Sequence, residues 1–382
     1  MKGFHAMQKE KKIGILTLSY SSNGGSVMQA FALQKTISSL GYDASIINYT
    51  KTHYGKPVIG KNVFTKPIKN WTPKNILNWS ARILMHPTKM KKYERFFREY
   101  YNGFSQHPYQ RSELNLLNDV YDKFVVGSDQ VWNYGSPQVD DTYFLDFVTD
   151  SSKKIAYAPS FGQKNIPEEK RENASKFISD FYSISVREPN GLDIVSELTS
   201  RKATWVLDPS LLLDKQEYHK LSAPPKKSGY VYLYLKQESK RLEEFANKLA
   251  SAKGLTVIKM LNHWLCGKNG KPKSAVGPHE WLGYIENADY VITNSFHGIC
   301  FSIIFEKNFY VNFLKQTTTS TNSRLEGMLQ QFNLSKRSID EVEDINSLES
   351  IDYTSVNKFR ARRKEESLSY LKKALEGSIE HT

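Results

Sequence analysis

Residues 290–305 read YVITNSFHGICFSIIF, and this stretch indicates the fold of the chain around it. An apolar run, Tyr290 to Ile292, leads into a turn of small polar residues, and a second apolar run, Ile299 to Phe305, follows. This pattern predicts a buried strand, a tight turn and a helix. In an open α/β sheet, ligands bind beside such turns, at the carboxyl ends of the strands. Because the first N–H groups of a helix are unpaired and favour anions, we expect His297 to lie where a phosphate or carboxylate binds.

His297 also has a purely structural interpretation. A histidine in a strand–helix turn can hydrogen-bond a neighbouring carbonyl group, and for a single histidine this role is the more common one. The motif on its own leaves both interpretations open, so the other segments of the chain have to be weighed with it.

The alternation of strand and helix continues along the chain. An opening strand at 13–18, a helix that Gly41 ends and a strand at 44–49 form a β–loop–α–β unit. A proline-containing linker at 224–228 separates two further sets of elements. We predict an α/β fold of two Rossmann-like doubly wound domains that face a cleft. The first predicted domain covers residues 1–222 with a basic insertion at 51–110, the second covers residues 223–345, and a helical tail follows at 346–382. The further predicted strands are 123–126, 154–158, 182–186, 204–207, 230–235, 255–260, 289–293 and 309–313.

Composition limits the class of protein. The 382 residues contain no run of 18 uncharged apolar residues, so no transmembrane helix is expected. Residues 1–12 are polar and basic, unlike a signal peptide. The two cysteines, Cys266 and Cys300, are too few for a disulfide framework. These features predict a cytoplasmic protein.

The net charge of +13 is concentrated in one segment. Residues 51–100 hold 12 Lys or Arg and two acidic residues, a local net charge of +10, together with aromatic side chains such as Trp71, Trp79 and Phe96. This mixture suits peripheral contact with an anionic membrane surface. It suits somewhat better a helical insertion whose apolar stripe packs on its own domain. No zinc finger, helix-turn-helix or aromatic RNA-binding signature is present, so no nucleic-acid partner is expected.

Two loops at predicted strand ends carry polar side chains. Residues 23–26, Asn-Gly-Gly-Ser, allow close approach of a ligand to the backbone, although a tight structural turn explains them equally well. They match neither G-x-G-x-x-G nor a P-loop, so dinucleotide or ATP binding is not supported. The loop after residue 126 is denser. Asp129 could orient a sugar hydroxyl or act as a base, and Trp132 could either stack on a sugar ring or anchor the core.

Two arginines are placed where anions bind. Arg187 follows a predicted strand and precedes Glu188 and Pro189, so its guanidinium is expected at the ligand-binding edge unless it simply pairs with Glu188 on the surface. Ser323 and Glu326 form a predicted capping box, which places Arg324 in the first helical turn. A cation there opposes the helix dipole and suggests an anionic partner. The His and Cys residues show no metal-ligand spacing, so no metal site is expected.

Taken in order, these segments resemble the polysaccharide pyruvyl transferase family. The resemblance spans about residues 13–337 and leaves out most of the basic segment and the terminal helix. Members often have Arg-Leu-His-Gly in the histidine turn, where this chain has Ser295-Phe296-His297-Gly298, and Arg324 is the candidate for the missing charge. The matching segments are 23–29, 127–133, 143–147, 156–162, 186–188, 207–209, 277–280, 295–298 and 322–329.

The resemblance implies a fold similar to the GT-B glycosyltransferases and a reaction without a cofactor. A pyruvyl group would move from phosphoenolpyruvate to a sugar of a cell-surface polysaccharide, such as a capsule or exopolysaccharide, or of its lipid-linked precursor. C3 of the enol must be protonated, sugar hydroxyls attack C2 and phosphate leaves, often giving a cyclic ketal. The alternative on the same architecture is a glycosyltransferase that uses a nucleotide-sugar donor.

The resemblance also implies roles for individual residues. His297 would be the acid/base, with Asp129 and Glu188 as further catalytic candidates. The expected donor-binding residues are Arg187, Arg324, Asn23, Gly24, Gly25, Ser26, Ser295 and Gly298. The expected acceptor-binding residues are Asp129, Gln130, Trp132 and Asn133.

Overall fold

Two six-stranded sheets form the framework of the described chain. The computed structural model describes residues 10–49, 52–53, 56–57, 73–104, 108–136, 140–261, 264–267, 272–313 and 322–379. The first sheet is parallel throughout, in the order β2-β1-β5-β6-β7-β8. Its strands are β1 (Lys12–Leu16), β2 (Asp43–Ile46), β5 (Lys123–Val126), β6 (Lys154–Ala156), β7 (Ser183–Val186) and β8 (Thr204–Trp205); β3 (Thr52–His53) and β4 (Lys56–Pro57) form a separate short hairpin.

The second sheet has the order β12-β11-β10-β9-β13-β14. The four strands β10, β9, β13 and β14 are parallel, and β11 and β12 extend them as an antiparallel hairpin. The strands are β9 (Tyr230–Leu235), β10 (Thr256–Leu261), β11 (Trp264–Cys266), β12 (Pro272–Ala275), β13 (Tyr290–Thr293) and β14 (Asn308–Val311). Sequence patterns did not predict the hairpin, because its strands are too short to show a clear alternation.

Helices cover both faces of both sheets. Within the described residues they are α1 (Gly24–Ser39), α2 (Pro73–Tyr100), α3 (Glu168–Ser179), α4 (Asn190–Leu198), α5 (Lys215–His219), α6 (Lys240–Lys253), α7 (Pro278–Glu286), α8 (Phe296–Ile304), α9 (Asn322–Gln331) and α10 (Tyr353–Glu376). Gly41, with φ of 89°, follows α1 in the left-handed conformation that ends helices, as its position predicted. The prediction of two Rossmann-like doubly wound domains facing a cleft, the GT-B-like arrangement, is confirmed.

Strand β9 shows how the two domains share a core. Val231, Leu233 and Leu235 point to one face and pack with α6. Tyr230, Tyr232 and Tyr234 alternate with them on the other face and join a cluster that also contains side chains of β1, α1 and α8. Because side chains of a strand alternate between faces, a run of six apolar residues serves two cores at once. The cluster across the domain interface fixes the cleft that lies at the strand ends.

Helix α10 returns from the second domain to the first. The hydroxyl of Tyr370 donates to the carbonyl of Ala156 at 3.0 Å, and Ser367 Oγ accepts from the backbone N–H of Leu207 at 3.0 Å. Arg360, buried, donates to the carbonyl of Leu211. The predicted terminal helix is therefore a strap across both domains.

The described part of the basic segment comprises the β3–β4 hairpin and helix α2, and α2 packs on the protein. Tyr93, Phe96 and Phe97 are fully buried in the interdomain core, as the helical-insertion interpretation expects. Trp71 and the side chain of Trp79 lie outside the described residues. None of the described helices combines the length and apolar character needed to cross a membrane.

Candidate functional site

Polar side chains from both domains meet at the carboxyl ends of the strands. Asp129 follows β5, Arg187 follows β7 directly, and Asp208 follows β8. The β13–α8 turn brings His297 to them from the other domain. Because parallel strands end at one edge of a sheet, residues far apart in sequence become neighbours there.

Arg187 is the centre of this cluster. Its side chain is 1% exposed; Nη1 donates to Asp208 Oδ2 at 2.9 Å, and Nε donates to Glu188 Oε1 at 3.0 Å. Asp129 Oδ1 lies 4.0 Å from Nη1, and the guanidinium lies over the Phe296 ring, 4.1 Å from its centroid. Burial alone would lower the pKa of Arg187, but the three surrounding carboxylates outweigh it and raise that pKa above its ordinary value. Arg187 and Glu188 do pair, as the alternative interpretation expected, but inside the protein and not on its surface.

Asp208 joins the two domains, and no role for it was predicted from the sequence. Its carboxylate is fully buried; Oδ1 accepts from the N–H and hydroxyl of Ser210, and Oδ2 accepts from Arg187. His297 Nε2 lies 3.8 Å from Oδ2, close enough for ion pairing but longer than a hydrogen bond. Burial tends to raise the pKa of Asp208, yet His297 and Arg187 hold it well below its usual range. An acid directly after the strand predicted at 204–207 was the available signal.

His297 is held against the glycine-rich turn of the first domain. A Cβ atom on Gly25 would lie 2.5 Å from His297 Nδ1, and one on Gly24 would lie 2.7 Å from the Trp281 ring. Such distances are too short for real atoms, so only glycine allows the turn and the imidazole to pack this closely. The glycines therefore leave room for the imidazole of the histidine. This contact joins the two domains, and the sequence pattern of the glycine turn does not reveal it.

Asp129 is presented by a turn with left-handed backbone. Its φ is 66°, and its carboxylate accepts from the hydroxyl of Ser26 and from the N–H of Gln130. Burial acts to raise the pKa of Asp129, but the charges of His297 and Arg187 lower it below the ordinary value. The residue is thus an ionised carboxylate at the edge of the cluster.

Arg324 comes from α9 and approaches the same place. It lies in the first turn of the helix, as predicted, with its guanidinium 6.0 Å from the centroid of Phe296. With the carboxamide oxygen of Gln130 turned towards it, that oxygen accepts from both terminal nitrogens of Arg324 at 2.6 Å. Burial, and then the charge of Arg187, lowers the pKa of Arg324 to about 10. The Ser323 side chain of the predicted capping box lies outside the described residues.

A small hollow opens between the domains at these arginines. Arg187, Glu188 and Asp208 line one side, and Phe296 and Arg324 line the other. Three buried nitrogens at this junction have no acceptor among the described residues: Arg187 Nη2, Arg324 Nε and His297 Nε2. A buried donor without an acceptor is unfavourable, so the arrangement suits a ligand that is rich in oxygen.

The loop after β5 contains one residue that belongs to the core and others that lie near the candidate site. Trp132 requires a correction: its side chain is fully buried, stacked on Phe144, and its indole N–H donates to the carbonyl of Tyr143. No part of it is exposed to stack on a sugar, so it is a core anchor. Asn133, by contrast, is half-buried beside Gln130, 2.6 Å away.

Two of the predicted anion-binding turns use their polar groups as helix caps. Asn23 Oδ1 accepts from the N–H of Gly25 at 3.1 Å, and Ser295 Oγ accepts from the N–H of Gly298 at 3.3 Å. A Cβ on Gly298 would lie 2.5 Å from Thr293 Oγ1, so the second turn also needs its glycine for space. These two N–H groups already have acceptors, and the arginine and histidine nitrogens are side-chain donors without acceptors among the described residues.

Comparison with known proteins gives one family. The model of the family described as polysaccharide pyruvyl transferase matches residues 23–311. No curated protein is a match. Similar solved structures include a UDP-GlcNAc 2-epimerase from Methanocaldococcus jannaschii, which is 12% identical with a TM-score of 0.42 and covers 91% of this chain and 98% of its own. The glycotransferase of kitacinnamycin is 12% identical (TM-score 0.39, covering 97% and 96%), and the glycosyltransferase SnogD from Streptomyces nogalater is 9% identical (TM-score 0.37, covering 96% and 98%).

Proposed function

This chain belongs to the polysaccharide pyruvyl transferase family, and we propose that it moves a pyruvyl group from phosphoenolpyruvate to a sugar of a cell-surface polysaccharide or of its lipid-linked precursor. The observation that carries the proposal is a set of three buried nitrogens without acceptors among the described residues: those of Arg187 and Arg324, which line the hollow, and Nε2 of His297 beside Asp208. Phosphoenolpyruvate has a carboxylate and a phosphate, which together offer the acceptors that these donors lack.

The two arginines are suited to different parts of the donor. Arg187 already contacts Glu188 and Asp208, so only Nη2 is left to bind a further oxygen. Arg324 has no carboxylate within 4.0 Å among the described residues, and its charge is the less neutralised of the two. We therefore propose that Arg324 binds the phosphate, which carries more charge, and that Arg187 binds the carboxylate.

His297 is the proposed acid. In the reaction, the imidazolium gives a proton to C3 of the enol, and positive charge develops at C2, where a sugar hydroxyl forms a new C–O bond. The bond from C2 to the phosphate oxygen breaks, and a second hydroxyl attacks C2 to close the ketal, each hydroxyl losing its proton. Asp208, whose Oδ2 lies 3.8 Å from Nε2, is a positioning residue for the imidazole.

Asp129 is the proposed base for a hydroxyl of the acceptor. It is ionised and lies at the edge of the cluster, next to Gln130 and Asn133 on the same loop. Glu188 is bound to Arg187 Nε, so its proposed part is to hold that guanidinium in place.

Contact with an anionic membrane is the proposed role for the outer face of α2. Ile76 and Leu84 are exposed there, Leu84 by 79%, on a helix rich in lysine and arginine. Exposed apolar side chains among cations suit the interface of an anionic bilayer. Co-sedimentation with anionic vesicles at low salt tests this, and protein that stays in the supernatant contradicts it.

The decisive experiment is product analysis. The protein is incubated with phosphoenolpyruvate and a panel of saccharide acceptors, and mass spectrometry looks for the mass of an added pyruvyl group. His297→Gln and Asp208→Asn should lower turnover by at least about 100-fold, whereas His219→Gln, at an exposed position, should not. Transfer from a nucleotide sugar instead, or stabilisation to heat by nucleotides but not by phosphoenolpyruvate, would refute the proposal.

A further inference from the structure

The carboxamide of Gln130 lies at the end of Arg324 that would bind an anion. With its oxygen turned to the arginine, that oxygen accepts from both terminal nitrogens at 2.6 Å. Oxygens of carboxylates and phosphates bind to these same nitrogens of a guanidinium. Gln130, a residue of the first domain, therefore occupies the position on the second domain's arginine that the phosphate of the donor is proposed to take.

The two arginines of the site differ in what an incoming anion has to replace. Arg187 is paired with the carboxylates of Asp208 and Glu188, at 2.9 and 3.0 Å. The acceptor on the terminal nitrogens of Arg324 is a neutral carboxamide instead. Because a hydrogen bond between charged groups is stronger than one to a neutral oxygen, a phosphate gains free energy when it replaces Gln130 on Arg324.

The oxygen of Gln130 has a second partner available to it. In the opposite orientation of the carboxamide, that oxygen accepts from Asn133 Nδ2 at 2.6 Å. Asn133 Oδ1 accepts from the backbone N–H of Gly135 at 2.9 Å, which keeps Nδ2 facing Gln130. A carboxamide has one oxygen and one nitrogen on opposite sides, so Gln130 can offer its oxygen to Arg324 or to Asn133, but not to both.

Each orientation leaves two donors facing each other. With the oxygen on Arg324, the nitrogen of Gln130 faces Asn133 Nδ2, 2.6 Å away. With the oxygen on Asn133, the nitrogen faces the terminal nitrogens of Arg324. A donor without an acceptor is unfavourable, and an anion bound to Arg324 removes this conflict in the second orientation, because its oxygens accept from the arginine and from Gln130 together.

The neighbouring backbone leaves the two amides little room to separate. A Cβ atom on Gly162 would lie 2.5 Å from Asn133 Nδ2 and 3.0 Å from Gln130 Oε1. Gly162 also has a φ of 67°, a left-handed conformation that favours glycine. The amides pack directly against this glycine, so rotation of the carboxamide is the available way to relieve the conflict.

We propose that Gln130 is a donor-binding residue whose carboxamide turns when the donor binds: its oxygen passes from Arg324 to Asn133, and its nitrogen donates to the phosphate. This inference rests on the proposed function where it names the donor. The sequence placed Gln130 among the acceptor-binding residues, and the proposal assigns it to the donor instead. The phosphate would then be held by Arg324 of one domain and by Gln130 of the other.

Binding tests the assignment without any turnover. The full-length protein is titrated in a calorimeter with inorganic phosphate and with phosphoenolpyruvate, at constant ionic strength. Gln130→Met has nearly the same shape but no hydrogen-bonding groups, and it should bind both about 10-fold more weakly than the wild type. Gln130→Glu places a carboxylate on Arg324 and should weaken binding by about 100-fold. Gln330→Met, at an exposed position of α9, is the matched control and should bind like the wild type.

Three results of the titration would overturn the proposal. Equal affinity in Gln130→Met and the wild type would show that the carboxamide does not contact the anion. Tighter binding in Gln130→Met would show that Gln130 only blocks Arg324 and gives nothing to the phosphate. Unchanged affinity in Gln130→Glu would place the anion away from Arg324 altogether.

The turning of the carboxamide has its own readout. In protein labelled with ¹⁵N at its glutamine side chains, the signal of Gln130 is the one that disappears in Gln130→Met. Saturation with inorganic phosphate should shift this signal, because its nitrogen exchanges Asn133 for a phosphate oxygen, and should leave the signal of Gln330 in place. A Gln130 signal that does not move at saturation contradicts the rotation.

Kinetics distinguish this inference from the proposed function. If pyruvyl transfer is observed, Gln130→Met should raise KM for phosphoenolpyruvate about 10-fold and leave KM for the saccharide unchanged. A rise confined to KM for the saccharide returns Gln130 to the acceptor and overturns the proposal. If no saccharide accepts a pyruvyl group, the proposed function fails, while the titration with inorganic phosphate still decides whether Gln130 and Arg324 bind an anion together.

Discussion

Replacing Lys89 by methionine should stabilise the protein, and the gain should depend on pH. The pKa of Lys89 falls from 10.5 to about 7 on folding, chiefly because of burial and then because of Lys236 and Arg82. Each pKa unit corresponds to 1.36 kcal/mol, so the charged side chain costs roughly 3 to 5 kcal/mol of stability when it is protonated in both states. Methionine keeps most of the aliphatic stem, carries no charge and remains among the aromatic rings.

The sign of the pH dependence follows from the lowered pKa. Below about pH 7, Lys89 is protonated in the folded and the unfolded protein, and the full cost is present. Between about pH 7 and the unfolded pKa of 10.5, the unfolded state binds more protons than the folded state, so stability rises with pH. The wild type should therefore approach the stability of Lys89→Met as the pH increases.

Urea unfolding of the wild type, Lys89→Met and the exposed control Lys91→Met, at several values between about pH 6 and about pH 10, measures this difference. We expect Lys89→Met to unfold at higher urea near neutral pH, by an amount that shrinks towards the alkaline end, and Lys91→Met to follow the wild type throughout. The reasoning is refuted if Lys89→Met is less stable than the wild type, or if its advantage is the same at every pH.

Two further predictions concern the site and the core. Gly25→Ala places a Cβ 2.5 Å from His297 Nδ1 and must displace the imidazole, so kcat for pyruvyl transfer should fall about 100-fold; an unchanged kcat would show that the imidazole position is not critical. Trp132→Ala removes a fully buried indole and should lower the free energy of unfolding by about 3–5 kcal/mol, measured in urea. A stability loss below about 1 kcal/mol there would contradict its role as a core anchor.

The strands and their end points could be predicted because each depends on a short run of sequence. The bounds of residues 123–126 and 230–235 agree with β5 and β9, and Arg187 lies directly after β7 as its neighbours indicate. Apolar runs, glycines that end helices and an Arg-Glu-Pro sequence after a strand are local signals. They depend only on neighbouring residues and not on where the element lies in the fold. The β11–β12 hairpin was missed because its two strands are short and interrupted.

Contacts between residues that are far apart in the chain could not be predicted from the sequence. Asp208 was noticed only as part of a matching segment, and its contacts with Arg187 and His297 follow from how the strand ends and the domains meet. Trp132 could be assigned equally to the acceptor or to the core, and only its burial decides for the core. Burial depends on the packing of distant segments, which no local pattern records.

The amino-acid sequence by itself determined the α/β class, the two domains and the strand ends at which polar residues gather, because hydrophobic periodicity and turn residues act over a few neighbouring positions. Only the tertiary structure decided which of those residues share a site. It joined Gly25 to His297 and Arg187 to Asp208, and it buried Lys89 beside Trp264. Charge and contact depend on distance in space, and the fold sets that distance for residues that are far apart in the chain.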